Sequence, residues 1–349
     1  MAYSNIDKPN QYFNTVLYTG NSTDDRAVTG VGFQPDFLWI KDRTVARVHY
    51  LADRVRGDTK YLQSQATTAE ITATSAVKSI DSDGFTTGTS TTVNNTGENY
   101  VVWNWLAGGT ASSNTDGSIT SNVSANTTSG FSIVSYTGNS TAGATVGHGL
   151  GVAPACIIFK NRTSGTDRWN VYHQGVDATA PEDYRLFLNA TDARSNDAFL
   201  NDTAPSSSVI TLGSFSEANG STSMIAYCFA EKKGYSKFGS YSGNSSNDGT
   251  FVFCGFKPAF VILKESSASG NNWQMFDSVR SPYNEVISRL QANLSLAEYN
   301  SGNWIDFTSQ GFKLRTSAQA VNGSGTTYIY MAFAESPLVG SNLVPNNAR

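Results

Sequence analysis

A five-residue motif, Tyr-[Thr/Ser]-Gly-Asn-Ser, occurs three times in this chain, beginning at Tyr18, Tyr136 and Tyr241. Each copy is followed by a variable loop, then by Gly-x-x-Pro, an apolar run and a lysine. The prolines of this second element stand 119 and 104 residues apart, at Pro35, Pro154 and Pro258. Repetition at whole-domain spacing predicts three copies of one module within the 349 residues.

The three copies agree beyond these opening elements. An aromatic strand follows the lysine, beginning at Trp169 in the second copy and at Trp273 in the third, and the first copy has His49 in that place. Each copy ends on one strong strand, at residues 100–105, 224–229 and 328–333. Large residues at every second position of these strands share one face, as in a half-buried strand. We therefore expect three core residues at equivalent places: Trp105, Phe229 and Phe333.

The residue types predict strands and turns. Aromatic residues make up 12% of the chain and charged residues only 15%, which favours β-structure over helix. Each proline precedes an apolar run and is expected to start a strand, and Asp83-Gly84 and Gln310-Gly311 predict hairpins. The predicted fold class is all-β, with three tandem antiparallel β-sandwich modules of a jelly-roll-like kind. Residues 285–291 are the one segment with a helical alternative.

Composition shifts and the repeat boundaries divide the chain. The Gly-, Ser- and Thr-rich stretch after the first module has the composition of a flexible linker. The predicted divisions are an N-terminal arm at 1–12, a first module at 13–107, a linker at 108–129, a second module at 130–231, a third module at 235–335 and a C-terminal tail at 336–349.

Two recurring residue types are candidates for ligand binding. The lysines that end the Pro strands, Lys41, Lys160 and Lys264, suit either contact with a sugar acid or phosphate, or a strand-end cation that pairs locally or snorkels; we favour the second. Trp169 and Trp273 suit either stacking on sugar rings or a place in the core, and their period-two positions favour the core.

Metal and nucleophile chemistry finds little support in the sequence. The three histidines, His49, His148 and His173, have no metal-ligand spacing with one another or with a cysteine. The Gly-rich turn around His148 lacks the ending of a phosphate loop. Cys156, Cys228 and Cys254 lie in apolar stretches, so we expect buried free thiols rather than a disulfide framework. No cofactor is expected.

A glycosidase needs a pair of carboxylates, and these should recur at one position of the fold. The candidates are Asp24, Asp25, Asp53, Asp81, Asp83, Asp167, Glu182, Asp183 and Asp277. Only Asp53 and Asp277 recur, and the second module has His173 at that place. Asp81-Ser-Asp83-Gly84 resembles the start of a calcium loop but lacks the remaining ligands, so a hairpin turn is expected. The sequence therefore predicts a protein that is not an enzyme.

Charge and hydropathy exclude other classes. The net charge of −4 and the absence of a basic run argue against binding nucleic acid. No stretch approaches the ~20 apolar residues of a membrane span, and Met1 is not followed by the basic start and apolar run of a signal peptide. We expect synthesis and folding in a cytoplasm.

Several strings together resemble a repeat family common in tailed bacteriophages of marine bacteria and cyanobacteria: GVGFQPDFLWIK, VGHGLGVAPACIIFKNR, MIAYCFAEKKGYSKFGSYSGN and GFKPAFVILK. The resemblance extends over essentially the whole chain, with departures such as Cys156 in the Pro strand. It implies a virion structural protein, often tail-fibre-like, made in the host cytoplasm. The family offers no catalytic motif to transfer, and none of these residues is assigned a catalytic role.

The resemblance implies a tail fibre or tail-associated appendage that contacts the host surface, with a glycan as the expected ligand. The alternatives are a capsid decoration protein on the phage head and a glycan-cleaving depolymerase. The expected partners are other virion proteins and further copies of the chain, in a trimer. Because turn and strand chemistry accounts for the repeated residues, a binding site is expected in parts that fail to repeat: the loops after Lys41, Lys160 and Lys264, and the arm before Phe13.

Overall fold

The structure, a computed structural model, describes residues 4–340 and 345–346. Strands account for 44% of the chain and helices for 5%, so the all-β prediction is confirmed. Each third of the chain contributes one large antiparallel sheet and further strands that pack against it. These thirds are called the first, second and third modules below.

The first module has a main sheet of order β1-β9-β3-β4-β5-β6 and a second sheet of order β2-β8-β7. A 3₁₀ helix at Pro9–Gln11 precedes it, and the one-turn helix α1 at Thr91–Asn94 leads into the closing strand. The strands are β1 Phe13–Thr19, β2 Arg26–Thr29, β3 Phe37–Asp42, β4 Tyr50–Asp53, β5 Lys60–Leu62, β6 Ile71–Thr72, β7 Val77–Asp81, β8 Gly84–Thr87 and β9 Asn99–Trp105.

The second module has a main sheet of order β10-β11-β12-β19-β14-β15-β16-β17 and a two-stranded second sheet, β13-β18. It also contains a 3₁₀ helix at Pro181–Asp183 and the one-turn helix α2 at Ser216–Asn219. The strands are β10 Ser112–Asn114, β11 Ser121–Asn126, β12 Phe131–Thr137, β13 Ala144–Gly147, β14 Cys156–Asn161, β15 Asn170–His173, β16 Tyr184–Phe187, β17 Ser195–Asn196, β18 Val209–Leu212 and β19 Ser223–Phe229.

The segment 108–129 is therefore not the flexible linker expected from its composition. It contains β10 and β11, which extend the main sheet of the second module beyond β12. Its residues are small, but Val123 is buried and Ser124 Oγ donates to the carbonyl of Gly109 at 2.7 Å. Backbone pairing in the sheet, which composition does not report, orders this segment.

In the third module both layers belong to one continuous ladder of order β20-β27-β22-β23-β24-β25-β26-β21. The one-turn helix α3 spans Gln319–Asn322. The strands are β20 Ser236–Ser242, β21 Phe251–Phe253, β22 Phe256–Glu265, β23 Gln274–Asp277, β24 Val286–Gln291, β25 Tyr299–Thr308, β26 Gly311–Leu314 and β27 Thr327–Pro337. The helical alternative for residues 285–291 is wrong, because β24 pairs with a neighbour on each side.

The closing strands β9, β19 and β27 are buried on both faces. One face packs into a core private to its own module, with Val102, Ala226 and Ala332 among its residues. The other face enters a single core shared by all three modules, and Trp105, Phe229 and Phe333 meet there. Their ring centroids are separated by 5.7 Å (Trp105 to Phe333), 5.9 Å (Phe229 to Phe333) and 6.4 Å (Trp105 to Phe229). Their predicted burial is confirmed, whereas the half-buried description of these strands is wrong.

The opening motif is a scaffold for the short helices. The hydroxyl of Tyr18 donates to the carbonyl of Val93 at 2.6 Å, and the backbone N–H of Asn21 donates to Oδ1 of Asn94 at 3.0 Å. The other modules repeat both bonds with Tyr136 and Asn219, and with Tyr241 and Asn322. A Cβ on Gly20 would lie 2.0 Å from the carbonyl oxygen of Asn95, so only glycine fits there.

Two of the three prolines lie where the sequence predicts. Pro35 and Pro154 each come two residues before a strand, β3 and β14. Pro258 lies inside β22, and the register between β22 and β27 shifts on both sides of it. A bulge is the other place where a sheet tolerates a residue without an N–H, so the third proline differs from a strand start.

The modules contact one another in a closed cycle. Trp169 Nε1 of the second module donates to the carbonyl of Gln63 of the first at 2.9 Å, and Trp273 Nε1 of the third donates to that of Phe187 of the second at 2.9 Å. The first module closes the cycle on the third, where His49 Nε2 lies 3.0 Å from the carbonyl of Gln291. Head-to-tail contacts that return to their start form a ring, so the chain has internal pseudo-threefold symmetry.

Two of the three boundaries also contain ion pairs that are largely buried. Between the first and second modules, Glu70 accepts from Arg162 at 2.8 and 2.9 Å and from Arg56 at 3.3 Å. Between the third and first modules, Glu298 accepts from Arg43 at 2.8 Å and from Arg280 at 2.8 Å.

At the boundary of the second and third modules the equivalent residues are Arg194 and Ser266, which are joined by a backbone bond of 2.9 Å. The carboxylate is missing at this boundary, and Arg194 pairs with Asp177 of its own module.

The described part of the N-terminal arm packs on its own chain. Ile6 belongs to the shared core, and the rings of Tyr12 and Tyr235 contact each other at 6.1 Å. At the other terminus, β27 ends at Pro337 and Val339 bridges to Pro345. The remaining residues of the predicted arm and tail, 1–3, 341–344 and 347–349, lie outside the described part.

Candidate functional site

The three recurring lysines are buried at module boundaries. Lys160 Nζ donates to the carbonyl of Thr67 at 2.8 Å, and Lys264 Nζ donates to that of Thr191 at 3.3 Å, in each case across a boundary. Lys41 Nζ donates to the carbonyl of Asp42 at 2.7 Å. Burial lowers the pKa of all three to about 8. The expected local pairing is confirmed, since Nζ of Lys160 also donates to the carbonyl of Asp167 at 2.9 Å and Nζ of Lys264 to that of Glu265 at 2.6 Å. The alternative that the lysines snorkel to solvent is wrong, and their buried Nζ atoms are not placed to contact a ligand.

Trp169 and Trp273 are 0% and 4% exposed, so the core interpretation is confirmed for both. His49 takes the equivalent place in the first module. Its Nδ1 accepts from Trp39 Nε1 at 2.8 Å, so its Nε2 carries the proton and donates to the third module. Burial, together with the charge of Lys41, lowers the pKa of His49 to about 3. A neutral imidazole with both nitrogens bonded is structural.

The other histidines and the cysteines are also buried and engaged. His173 accepts from the backbone of Gly175 and lies 3.0 Å from the carbonyl of Tyr330, and burial lowers its pKa to about 4. The three cysteines are free and buried, as predicted, and burial raises the pKa of each thiol. Residues 4–340 and 345–346 contain no group of three His, Cys, Asp or Glu side chains arranged for a metal ion.

The carboxylates singled out in the sequence belong to turns and ion pairs. Asp53 and Asp277 are buried, and each accepts from the Nε of an arginine three residues later at 2.5 Å. Asp83 Oδ2 and Oδ1 accept from Gly30 and Gly32, and Asp83 lies in the predicted hairpin between β7 and β8. Ion pairs or short-range bonds hold Asp24, Asp25, Asp81 and Asp167. Glu182 and Asp183 lie in a 3₁₀ helix.

Exposed apolar side chains concentrate on the third module. Of the ten large apolar side chains that are exposed in the described part of the chain, seven lie there. The loops after the lysines, by contrast, contact neighbouring modules: the carbonyl of Gly165 accepts from Thr67, and Gly270 N–H donates to Thr191. Four of the seven lie on β21, β24 and β25, so the surface most suited to a ligand is the outward face of the part of the third module's sheet formed by β24, β25, β26 and β21.

Strand β21 shows how this module differs from the others. Phe251 and Phe253 are 46% and 52% exposed on either side of the buried Val252. Val252 pairs with Phe312, as Val28 pairs with Phe85 and Val146 with Ile210 in the other modules. The positions equivalent to the two phenylalanines hold small or polar residues there: Ala27 and Thr29 in the first module, and Thr145 and Gly147 in the second.

An arginine contacts two aromatic rings on the same sheet. Arg289 pairs in register with Tyr299, and its guanidinium carbon is 4.9 Å from the Tyr299 ring and 3.8 Å from the Trp304 ring. Trp304 Nε1 donates to the carbonyl of Ser301 at 2.9 Å, which fixes the indole. Gly302 has φ +84°, and a Cβ there would lie 3.0 Å from that Nε1. We call Phe251, Phe253, Arg289, Tyr299 and Trp304 the outer aromatic face.

A polar pocket of about 450 Å³ adjoins Trp304. The backbone N–H of Arg315 donates to the carbonyl of Trp304 at 3.0 Å, so the pocket and the outer aromatic face are continuous. Its lining residues are Asn247, Glu285, Gly302, Asn303, Arg315 and Thr316. Aromatic faces beside convergent amide, hydroxyl and guanidinium groups can stack on a sugar ring and bond its hydroxyls.

Sequence reasoning missed the residues of this site. The repeat comparison contained a signal, because phenylalanine replaces small or polar residues on the solvent side of β21. Arg289 and Trp304 gave no such signal, since 285–291 had a helical alternative and the pairing of β24 with β25 is needed to bring them together.

Fold and site together define an all-β protein in which three modules close a ring and one module presents an aromatic outer face. Residues 8–337 match the DUF7483 family, described as a domain of unknown function, and the chain belongs to that family. Neither the curated proteins nor the solved structures include a match. No helix of the described residues is long and apolar enough to cross a membrane.

Proposed function

We propose that this protein is a non-enzymatic structural component of a tailed-phage particle and that it binds host-surface glycan through the outer aromatic face. The observation that carries the binding role is that, among residues 4–340 and 345–346, the aromatic side chains that are exposed all lie on one module of a three-module ring. The class of particle follows from the resemblance of the repeats to phage virion proteins.

The contrast between residues that recur in all three modules and residues found in one module supports this proposal. A residue needed only for the scaffold should recur in every module, as the bond between Tyr18 and Val93 does. Phe251 and Phe253 do not recur, and their exposure opposes the burial that large apolar side chains normally gain on folding. An exposed apolar patch with a polar rim is typical of a binding surface, and Trp and Tyr rings commonly provide such contacts.

Both alternatives find less support. A decoration protein on the head would bury broad surfaces of all three modules, but the first and second modules have small or polar residues at the positions of the two phenylalanines. A depolymerase needs two carboxylates flanking a glycosidic bond, whereas Glu285 is the one carboxylate among the residues that line the pocket. Binding without cleavage is therefore the function we favour.

The test of binding uses fluorescently labelled full chain on an array of bacterial surface polysaccharides. We expect at least one polysaccharide to bind, and Trp304→Ala and the double variant Phe251→Ser/Phe253→Ser each to lose about tenfold or more in affinity. The matched control is Leu17→Ser, which removes an apolar side chain 36% exposed on the first module and should leave binding unchanged. Absence of binding to every polysaccharide, or binding insensitive to Trp304→Ala, would remove the proposal.

A second experiment concerns the position on the particle. Gold-labelled antibody against the chain, imaged on phage particles that contain it, should mark the tail. Label over the head would instead favour the decoration protein. The trimer expected from the sequence stays a prediction, which sedimentation of the purified chain tests.

A further inference from the structure

The guanidinium of Arg289 differs from the other arginine guanidinium groups in the described part of the chain. Eleven of the twelve arginines there donate to a carboxylate or an amide oxygen, Arg26 to Asn94 and the rest to Asp or Glu. Arg289 has no carboxylate within 4.0 Å among the described residues, and its Nε is buried without an acceptor. The positive charge of this guanidinium is therefore not neutralised by a carboxylate of the described residues, while the buried Nε itself is out of reach of a ligand.

Among the described residues, no acceptor engages the terminal nitrogens Nη1 and Nη2 of Arg289, and these two, unlike Nε, are not buried. The Arg289 guanidinium carbon lies 4.9 Å from the centroid of the Tyr299 ring and 3.8 Å from that of the Trp304 ring, so both rings make cation–π contacts with it. A planar fork held by two rings is pre-organised to accept two oxygens of one oxyanion. The rings reduce the rotamer freedom that an arginine otherwise loses when it binds.

The neighbouring basic side chains on the same face are already paired. Lys313 Nζ lies 2.8 Å from Asp248, and Arg315 Nε lies 3.2 Å from Asp306. Glu285 lines the adjoining pocket and makes no ion pair with Arg289. The chain as a whole has a net charge of −4, so a general attraction for polyanions is absent and any attraction must be local.

We propose that the outer aromatic face selects acidic polysaccharide, with Arg289 bound to an oxyanion substituent of the sugar and Trp304 and the phenylalanines packed on neighbouring rings. This specificity rests on the proposed glycan-binding function. A uronate carboxylate and a sulfate ester share the required chemistry, since each presents two oxygens to the fork.

The test compares three polymers by isothermal titration with the full chain: polygalacturonate, dextran sulfate and uncharged dextran. The acidic polymers are expected to bind, with the carboxylate or sulfate preference read from the first two, and dextran is expected to bind at least tenfold more weakly. Arg289→Gln should lower affinity for the acidic polymer by about ten- to hundredfold and leave the weak affinity for dextran unchanged. Arg289→Lys, which keeps the charge but loses the fork, should lie between wild type and Arg289→Gln.

The matched control is Arg168→Gln, because Arg168 is an exposed arginine of the second module whose partner is Asp192. It removes the same charge elsewhere and should leave binding unchanged, and circular dichroism of each variant should match wild type. The proposed preference for acidic polysaccharide is wrong if dextran binds as tightly as the acidic polymers, or if Arg289→Gln changes the affinity for neither kind of polymer. In both cases the glycan-binding function stands. If no polymer binds and the polysaccharide array is also negative, the glycan-binding function and the preference for acidic polysaccharide are both wrong.

Discussion

Trp103 of the first module donates its indole Nε1 to Oδ2 of Asp277 of the third module at 3.0 Å, with both side chains fully buried. Tyr227 of the second module contacts Asp53 of the first in the same way, at 2.7 Å. At the remaining boundary the equivalent residues are Met331 and His173, and His173 Nε2 bonds the carbonyl of Tyr330 instead. Donor and carboxylate are thus present together at two boundaries and absent together at the third, as expected for residues whose burial each depends on the other.

Truncation of Trp105 should weaken the whole ring. Trp105→Ala is expected to lower the free energy of unfolding by about 3–5 kcal/mol, because it opens a cavity where three modules meet. Chemical denaturation followed by circular dichroism and by tryptophan fluorescence should give one common midpoint.

Trp105→Phe is the matched control, since phenylalanine occupies the equivalent positions 229 and 333 and the indole Nε1 is buried without a partner. It should cost much less than the alanine. Separate midpoints for the two probes, or equal losses for the two variants, would contradict a shared core.

Neutralisation of a boundary carboxylate should be costly. Burial alone would raise the pKa of Glu298, but Arg43 and Arg280 outweigh it and hold that pKa below its usual value. Glu298→Gln removes the counter-charge of Arg43 and leaves Arg280 with Asp277 alone, so it should lower stability by about 3–5 kcal/mol. Glu70 has a side chain 13% exposed against 1% for Glu298, so Glu70→Gln should cost less.

The control is Glu231→Gln, which breaks the surface pair with Lys237 and should change stability by less than about 1 kcal/mol. Equal effects of Glu231→Gln and Glu298→Gln in urea denaturation would refute the boundary role.

Acid should destabilise the protein through its buried histidines. The folded pKa of His49 is about 3, below the value near 6.5 of an unfolded chain. Between these two values His49 is protonated in the unfolded state and neutral in the folded state. The free energy of unfolding therefore falls as the pH drops below about 6.5 towards 3. Between pH 7 and pH 5 His49 should contribute a loss of about 2 kcal/mol.

Carboxylates also titrate near this window, so the measurement is a double difference. The change in unfolding free energy between pH 7 and pH 5 is compared for wild type and His49→Gln, and the variant should lose less on acidification. An identical change in both proteins would show that His49 is not held neutral.

Mild alkali should have the opposite effect through the buried lysines. The pKa of Lys264 is about 8 in the folded state, because burial disfavours its charge, and about 10.4 in an unfolded chain. The unfolded state holds the proton across this window, so stability should rise from pH 7.5 to pH 9.5, by about 1–2 kcal/mol for each such lysine. Guanidinium denaturation at the two pH values should show a smaller rise for Lys264→Met, and an equal rise would contradict the prediction.

Periodicity and turn chemistry predicted much of the scaffold. The alternation at 101, 103 and 105 identified the face of β9 that enters the shared core, because side chains alternate about a strand. The same alternation says nothing about what lies opposite each face, so the burial of the second face was missed. The burial of the lysines was not predicted for a related reason. Some of their acceptors, such as the carbonyl of Thr67 for Lys160, belong to a neighbouring module and are close only in the assembled fold.

The candidate site depended still more on tertiary structure. Trp304 and Arg289 are 15 residues apart and meet because β24 and β25 pair with an irregular register. No local pattern encodes that register. What the sequence does hold is the contrast between modules, in which Phe251 and Phe253 stand where the other copies have small or polar side chains.

The closure of the ring fixes how many repeats such a chain can have. Solenoid proteins add or lose repeats readily, because every repeat contacts only its neighbours and the stack is open at both ends. Here Trp105, Phe229 and Phe333 occupy the axis together, and the first module returns to the third through His49. A ring of two modules would leave the centre of the shared core open to water. A fourth module could not add its own aromatic residue there, because the three rings already fill the centre. Change in this architecture must therefore proceed by divergence within a fixed number of repeats, with one module free to vary its surface while the other two preserve the frame.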